Sequence, residues 1–252
     1  MKRRALVPSA AALMLLGGCG DSPLSRSEVP TALSVTLETE HHSFHVSPGD
    51  GVESDWQESF HAWATREIGL SSVPKIQYYK YLNRSHLDAL TGMQGNAWAD
   101  PVTFSIHTIW PTDNHEVVHL YASRFGSPTA LFGEGFAVAH QVNPVTGDFV
   151  PKWSSVPVHT WARRFRQEGR LIRIAELLES SDFRRFDDNV TYPEAGSFVR
   201  YLIDEYGLDK MLELFRSGSP HQTDSEVRSN FRAIYGFSVE TAEERWKTFL
   251  DG

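Results

Sequence analysis

The chain is predicted to be α+β, with a small N-terminal β-sheet and one helix followed by a mainly α-helical lobe. Three observations predict it. Short segments of the first hundred or so residues alternate apolar with polar side chains, the period of a half-buried strand. From Asp113 onward the apolar period lengthens to that of helices in succession. The 252 residues, 40% hydrophobic and 22% charged, suffice for one sizeable core, and no internal repeat or low-complexity stretch interrupts them.

At the start, Lys2, Arg3 and Arg4 precede an apolar run from Ala5 to Gly18. A helix across a bilayer needs roughly 20 apolar residues, so residues 1–18 read as a signal peptide and not as a span. Leu16-Gly17-Gly18-Cys19 resembles a bacterial lipobox, and Cys19 is the only cysteine. Its thiol is the expected lipidation site, so the membrane is an expected partner through the N-terminal lipid. A lone cysteine closes no intrachain disulfide and builds no thiolate zinc site, so a metal would fall to His, Asp and Glu.

Cleavage before Cys19 removes three positive charges. Lys+Arg falls from 24 to 21 against 32 acidic residues, a net of -11 where the whole chain has -8. Such a balance offers no basic patch, and no nucleic-acid partner is expected. Residues 19–32, rich in small and polar side chains, read as a flexible tether. Residues 33–252 read as one domain, an α/β part at 33–112 and a helical part at 113–252, acting as a monomer. The expected location is the extracytoplasmic side of a bacterial envelope. The outer membrane is favoured over the inner because glycine, not aspartate, follows Cys19.

Within the domain, Leu33–Leu37, Lys75–Leu82 and Val102–Ile109 alternate as strands. Trp56, Phe60, Trp63 and Ile68 recur at helical spacing between the first two. His41, His42 and His45 are expected on a solvated surface strand. Helices are expected at roughly 113–125, 129–142, 157–167, 171–179, 192–206, 208–217, 223–234 and 239–250. In the helix 192–206, Ala195, Phe198, Val199, Leu202, Ile203 and Tyr206 form one apolar face, and Gly207 closes it. Thr191-Tyr192-Pro193-Glu194 fits a capping box at its start, which accounts for Glu194 structurally.

His115-Glu116-Val117-Val118-His119 is an HExxH pattern. On a helix its histidines lie one turn, about 6 Å, apart on one face, so both imidazoles reach one cation. Glu116, turned by about 100° from His115, faces a water beside the metal and suits a general base. The bland alternative makes both histidines half-buried polar residues and Glu116 the capping partner of Asp113. The next helix places Glu134 between Gly133 and Gly135. Each helical glycine costs about 1 kcal/mol relative to alanine, and close approach to the HExxH helix is the expected reason. Glu134 then becomes the third ligand, giving a His2Glu site for one zinc ion with a fourth position open.

These residues resemble the gluzincin zinc metallopeptidases, specifically the peptidase MA-like family. HEVVH, the turn Gly126-Ser-Pro and Glu134-Gly-Phe-Ala137, fourteen residues beyond the second histidine, carry the resemblance, with Tyr192–Gly207 and Tyr235-Gly-Phe to Trp246 resembling the later segments. A metzincin would need glycine and histidine at 122 and 125, where Ala122 and Phe125 stand. The resemblance implies a zincin-like fold, Zn2+ on His115, His119 and Glu134, and Glu116 as catalytic base toward a peptide or protein substrate. Tyr192, ahead of Gly196, resembles the tyrosine that donates to the oxyanion in zinc aminopeptidases; packing at a helix start explains it equally. Gly95–Trp98 stands where such folds place an edge strand that aligns an extended substrate. His140 is expected on the surface or behind the ligands. Two alternatives stay open: a catalytically silent zincin-fold lipoprotein that binds peptides or envelope partners, and a zinc amidase acting on a non-peptide cell-wall amide.

Overall fold

The computed structural model describes residues 29–33, 35–142 and 147–252. The expected signal peptide, Cys19 and the tether as far as residue 28 lie outside the described residues. The tether was expected to run to Ala32, yet Val29–Ala32 form a short helix, α1, and Val29 and Leu33 are buried.

Strands β1 (Val35–Glu38), β2 (His42–Val46), β3 (Ile76–Lys80), β4 (Ala97–Asp100) and β5 (Ser105–Thr108) form one sheet in the order β1-β2-β3-β5-β4. The three central strands run parallel, and β1 and β4 are antiparallel edges. Parallel neighbours need crossovers. Helix α2 (Ser54–Ile68) connects β2 to β3, and α3 (Arg84–Thr91) with β4 fills the path from β3 to β5.

Period two then divides the sheet between two cores. Phe44, Ile76, Tyr78 and Ile106 face the main core, whereas Tyr79 and Tyr81 join Leu87 of α3, Val29 and Leu33 in a smaller one. With both faces covered, the expected surface histidines come out otherwise: His42 is wholly buried and His45 nearly so. His41 and His42 each turn Nδ1 to Glu58 of α2, at 2.6 and 2.8 Å, and His45 stacks on Tyr79.

The helical part follows with α4 (Asn114–Ala122), α5 (Ala130–His140), a hairpin of β6 (Lys152–Trp153) and β7 (Val156–Pro157), α6 (Val158–Gln167), α7 (Ser180–Phe183), α8 (Asp188–Tyr206), α9 (Leu208–Ser217), α10 (Asp224–Tyr235) and α11 (Val239–Asp251). The helix expected at 171–179 is reduced to a single tight turn at Ile174–Glu176. Helix α8 begins four residues before its expected start, capped by the Asp187 carboxylate, which accepts from the Asn189 amide. Thr191 to Glu194 therefore lie inside the helix and form no capping box. Thr191 donates its hydroxyl to the Asp187 carbonyl, and Glu194 is buried with one oxygen accepting from the Ile172 amide at 3.1 Å.

Helices α5 and α8 lie against each other at their glycines. A Cβ on Gly135 would stand 2.7 Å from Val199 Cγ2 and 2.9 Å from the Ala195 carbonyl oxygen; one on Gly196 would stand 2.3 Å from Val138 Cγ1. The close approach that Gly135 serves is thus to α8 and not to α4, and a Cβ on Gly133 meets nothing within 4 Å.

Candidate metal centre

Helix α4 starts at Asp113, whose Oδ1 accepts from the Glu116 amide at 3.2 Å. Val117, Val118, Leu120 and Tyr121 are wholly buried. That clamps the helix so that His115, Glu116 and His119 form its accessible face. Glu134 reaches the same place from α5, which is held at its proper depth by α8.

The three expected ligands meet. His115 Nε2 and His119 Nε2 are 3.1 Å apart and lie 3.2 and 3.1 Å from Glu134 Oε2. A tetrahedral zinc with bonds of about 2.0–2.1 Å needs ligand atoms about 3.3–3.4 Å apart, so the triangle matches one face of that tetrahedron to within a few tenths of an ångström. His115 Nδ1 donates to Gln141 Oε1 at 2.8 Å, which leaves Nε2 as a lone pair. Gln141 is held in turn, its amide donating to the Lys152 carbonyl at 2.7 Å. Three atoms able to ligate a cation thus converge within 3.2 Å of one another. Burial lowers the His115 pKa, but the Glu134 carboxylate beside it outweighs that and raises it overall. Burial likewise works to raise the Glu134 pKa, and the two histidines drive it well below the carboxylate range. The site is built to hold positive charge. Two imidazole nitrogens and one carboxylate oxygen are a donor set that suits zinc. Among the described residues this is the one group of three or more such side chains with ligating atoms close enough to share an ion.

Glu116 stands on the same face of α4 and accepts from the Ala99 amide. Burial, then the charge of Asp113, push its pKa up to about 8. Ala99 belongs to the free edge of the sheet. The Ile109 amide donates to the Asn96 carbonyl at 3.1 Å, so residues 96 and 109 are a hydrogen-bonded pair. In the register Ala97↔Thr108 and Ala99↔Ile106, alternation makes Ala97 and Ala99 the non-bonded positions, with N–H and C=O turned away from β5. An open strand edge therefore runs beside Glu116, where the segment 95–98 was expected to supply one.

Tyr192 is on α8 with its ring centroid 6.0 Å from that of His115, wedged between Trp153 and Phe183. Burial, reinforced by Glu134, raises its pKa. His140 is buried and not at the surface, donating to the Phe136 carbonyl at 2.9 Å, with burial lowering its pKa to about 4. Gln141 and Arg184 are site neighbours that no sequence pattern marks; Arg184 Nη2 lies 3.3 Å from Glu134 Oε1. A cavity of about 370 Å³ between α2, Phe149–Pro151 and α8 shares no lining residue with the triad and is not part of this centre.

A sequence profile of the Peptidase MA superfamily matches residues 167–252. No curated protein and no solved structure matches the chain. The matched stretch holds α7 to α11, with Arg184 and Tyr192, and begins after His115, His119 and Glu134. The profile match and the ligand triangle are thus separate observations, and together they support a metallopeptidase-like domain of the MA type with peptidase-like function.

Proposed function

We propose that the chain is a zinc-dependent peptidase of the gluzincin type, carried at the bacterial envelope by a lipid on Cys19. The observation that carries this reading is the convergence of His115 Nε2, His119 Nε2 and Glu134 Oε2 within 3.2 Å, next to Glu116 of α4 and beside the open edge of β4. His115, His119 and Glu134 would hold the ion, and when bound it supplies Lewis acidity toward the scissile carbonyl and the attacking water.

The chain's own residues supply the rest. Ala97, through its outward N–H and C=O, and Ala99, through its outward C=O, pair with an extended substrate as an added strand does, and this fixes the scissile amide over the site. Glu116 accepts a proton from water as the water oxygen bonds to the carbonyl carbon. It then delivers that proton to the amide nitrogen as the C–N bond breaks, so no covalent enzyme intermediate is needed. The place of Glu116 beside the ligand triangle, on the accessible face of α4, lets one carboxylate both take the proton and return it. The Tyr192 hydroxyl donates to the carbonyl oxygen as charge builds there.

Glu116→Gln is the test. The variant is expected to keep one zinc per chain, by elemental analysis, while hydrolysis of unfolded protein falls by roughly 10²–10⁴-fold. A Glu116→Gln protein with full activity refutes the mechanism. Hydrolysis of peptidoglycan but not of protein by the wild type would transfer the same chemistry to a cell-wall amide.

A further inference from the structure

Arg184 directly follows α7, a helix too short to be stable alone and tied down at several points. Ser180 Oγ accepts from the Ala130 amide at 3.0 Å and donates to the Pro220 carbonyl at 2.7 Å. Glu179, the residue before α7, accepts from the Asp224 amide at 2.9 Å. Phe183 is wholly buried, its ring 5.5 Å from that of Tyr192. The backbone of Arg184 is therefore pinned to the first turn of α5, while its side chain remains 61% exposed at the rim of the site.

From there the guanidinium reaches two groups at once. One nitrogen lies 3.3 Å from Glu134 Oε1, the oxygen that does not face the histidines. The same guanidinium also interacts with the phenolic oxygen of Tyr192. A guanidinium has five N–H donors in a planar fork, so it serves two acceptors without choosing between them. An exposed ion pair adds little stability; its consequence here is orientation. With Oε1 held, the Glu134 carboxylate presents a single oxygen, Oε2, to the histidine pair. With a phenolic lone pair engaged by a donor, the Tyr192 O–H is left free to point at the substrate.

We infer that Arg184 is a positioning residue that couples the metal centre to the oxyanion donor, fixing Glu134 as a one-oxygen ligand and Tyr192 as a hydrogen-bond donor. This rests on the peptidase reading above for its catalytic half only, since the metal half can be read without turnover.

The experiment uses the full chain as wild type, Arg184→Ala, Tyr192→Phe and the double variant. Zinc affinity is measured by competition with a chromogenic chelator, and steady-state kinetics by hydrolysis of fluorescein-labelled casein at saturating zinc. The metal-free unfolding midpoint serves as the folding control. Arg184→Ala is expected to weaken zinc binding by about tenfold or more, the usual effect of losing a ligand's outer partner. It is also expected to lower kcat with KM unchanged, and the double variant to be no slower than Tyr192→Phe alone. Unchanged zinc affinity overturns the metal half. Losses that multiply, or a rise in KM at constant kcat, overturn the catalytic half, the second outcome making Arg184 a substrate-binding group. A wild type that hydrolyses nothing refutes the peptidase reading, and the chelator competition still decides whether Arg184 governs Glu134.

Discussion

Replacing Gly135 by alanine tests how the site is held together, and Gly133 is its control. Both are helical glycines flanking Glu134, so each substitution gains about 1 kcal/mol of helix propensity. Their surroundings differ. The Cβ at 133 meets nothing within 4 Å, whereas the Cβ at 135 would lie 2.9 Å from the Ala195 carbonyl oxygen and 2.7 Å from Val199 Cγ2. Val199 can give way by rotation, but a backbone oxygen cannot, and α8 must move outward. Overpacking of this kind costs about 1–3 kcal/mol. A contact with rigid backbone belongs to the upper part of that range, so the net loss is about 1–2 kcal/mol, or a fall in midpoint of roughly 2–8 °C for a domain of this size. Gly133→Ala is expected to raise the midpoint by roughly 2–4 °C. The two helices part, and the share of that movement taken by α5 carries Glu134 away from His115 and His119, so Gly135→Ala loses zinc affinity and Gly133→Ala keeps it. Thermal unfolding of the metal-free protein with chelator competition reads both quantities. Equal midpoint shifts for the two variants would refute the argument that α5 and α8 meet through Gly135.

Three further outcomes are expected. Gln141→Leu leaves the His115 Nδ1 proton without its acceptor and should weaken zinc binding by about 10–100-fold with the fold intact by circular dichroism; unchanged affinity would remove Gln141 from the site. Glu194 is wholly buried, and burial, then Glu243, raise its pKa well above the ordinary 4.5. A raised folded pKa means stability that is complete below 4.5 and lost as pH rises toward the folded value, by about 1.4 kcal/mol per pH unit. Glu194→Gln should therefore gain on the wild type in urea unfolding at pH 8 and show no gain at pH 4; a difference independent of pH contradicts this. Finally, Cys19→Ser should abolish labelled-palmitate incorporation and release the protein from the membrane fraction, and unaltered fractionation would rule out the lipid anchor.

The grouping of the candidate metal ligands was legible because its information is local. The one-turn spacing of His115 and His119 and the turned-aside position of Glu116 follow from helix geometry alone, whereas of the two glycines beside Glu134 only Gly135 serves a close approach, and to α8 instead of the expected α4. Period two located β1, β3 and β5, and the apolar faces of α9, α10 and α11 located those helices within a residue or two. Hydrophobic period carries no signal over elements of two to four residues, which is why β6, β7 and α7 went unseen. The Thr191 to Glu194 pattern misled because a capping box is satisfied by four letters, while the fold starts α8 earlier, at Asp187, and buries those residues against its neighbours.

What the sequence by itself determined is which atoms can bind a cation and on which face of a helix they lie. Only the tertiary structure decided which neighbour each such group meets. Glycine signals that something comes close, not that it is α8; alternation places a histidine on one face of a strand, not whether α1 and α3 cover that face. Gln141 and Arg184, single polar residues without a pattern, acquire their meaning only when the chain brings them to His115 and Glu134, because a hydrogen-bond partner is defined by a distance and not by a spacing.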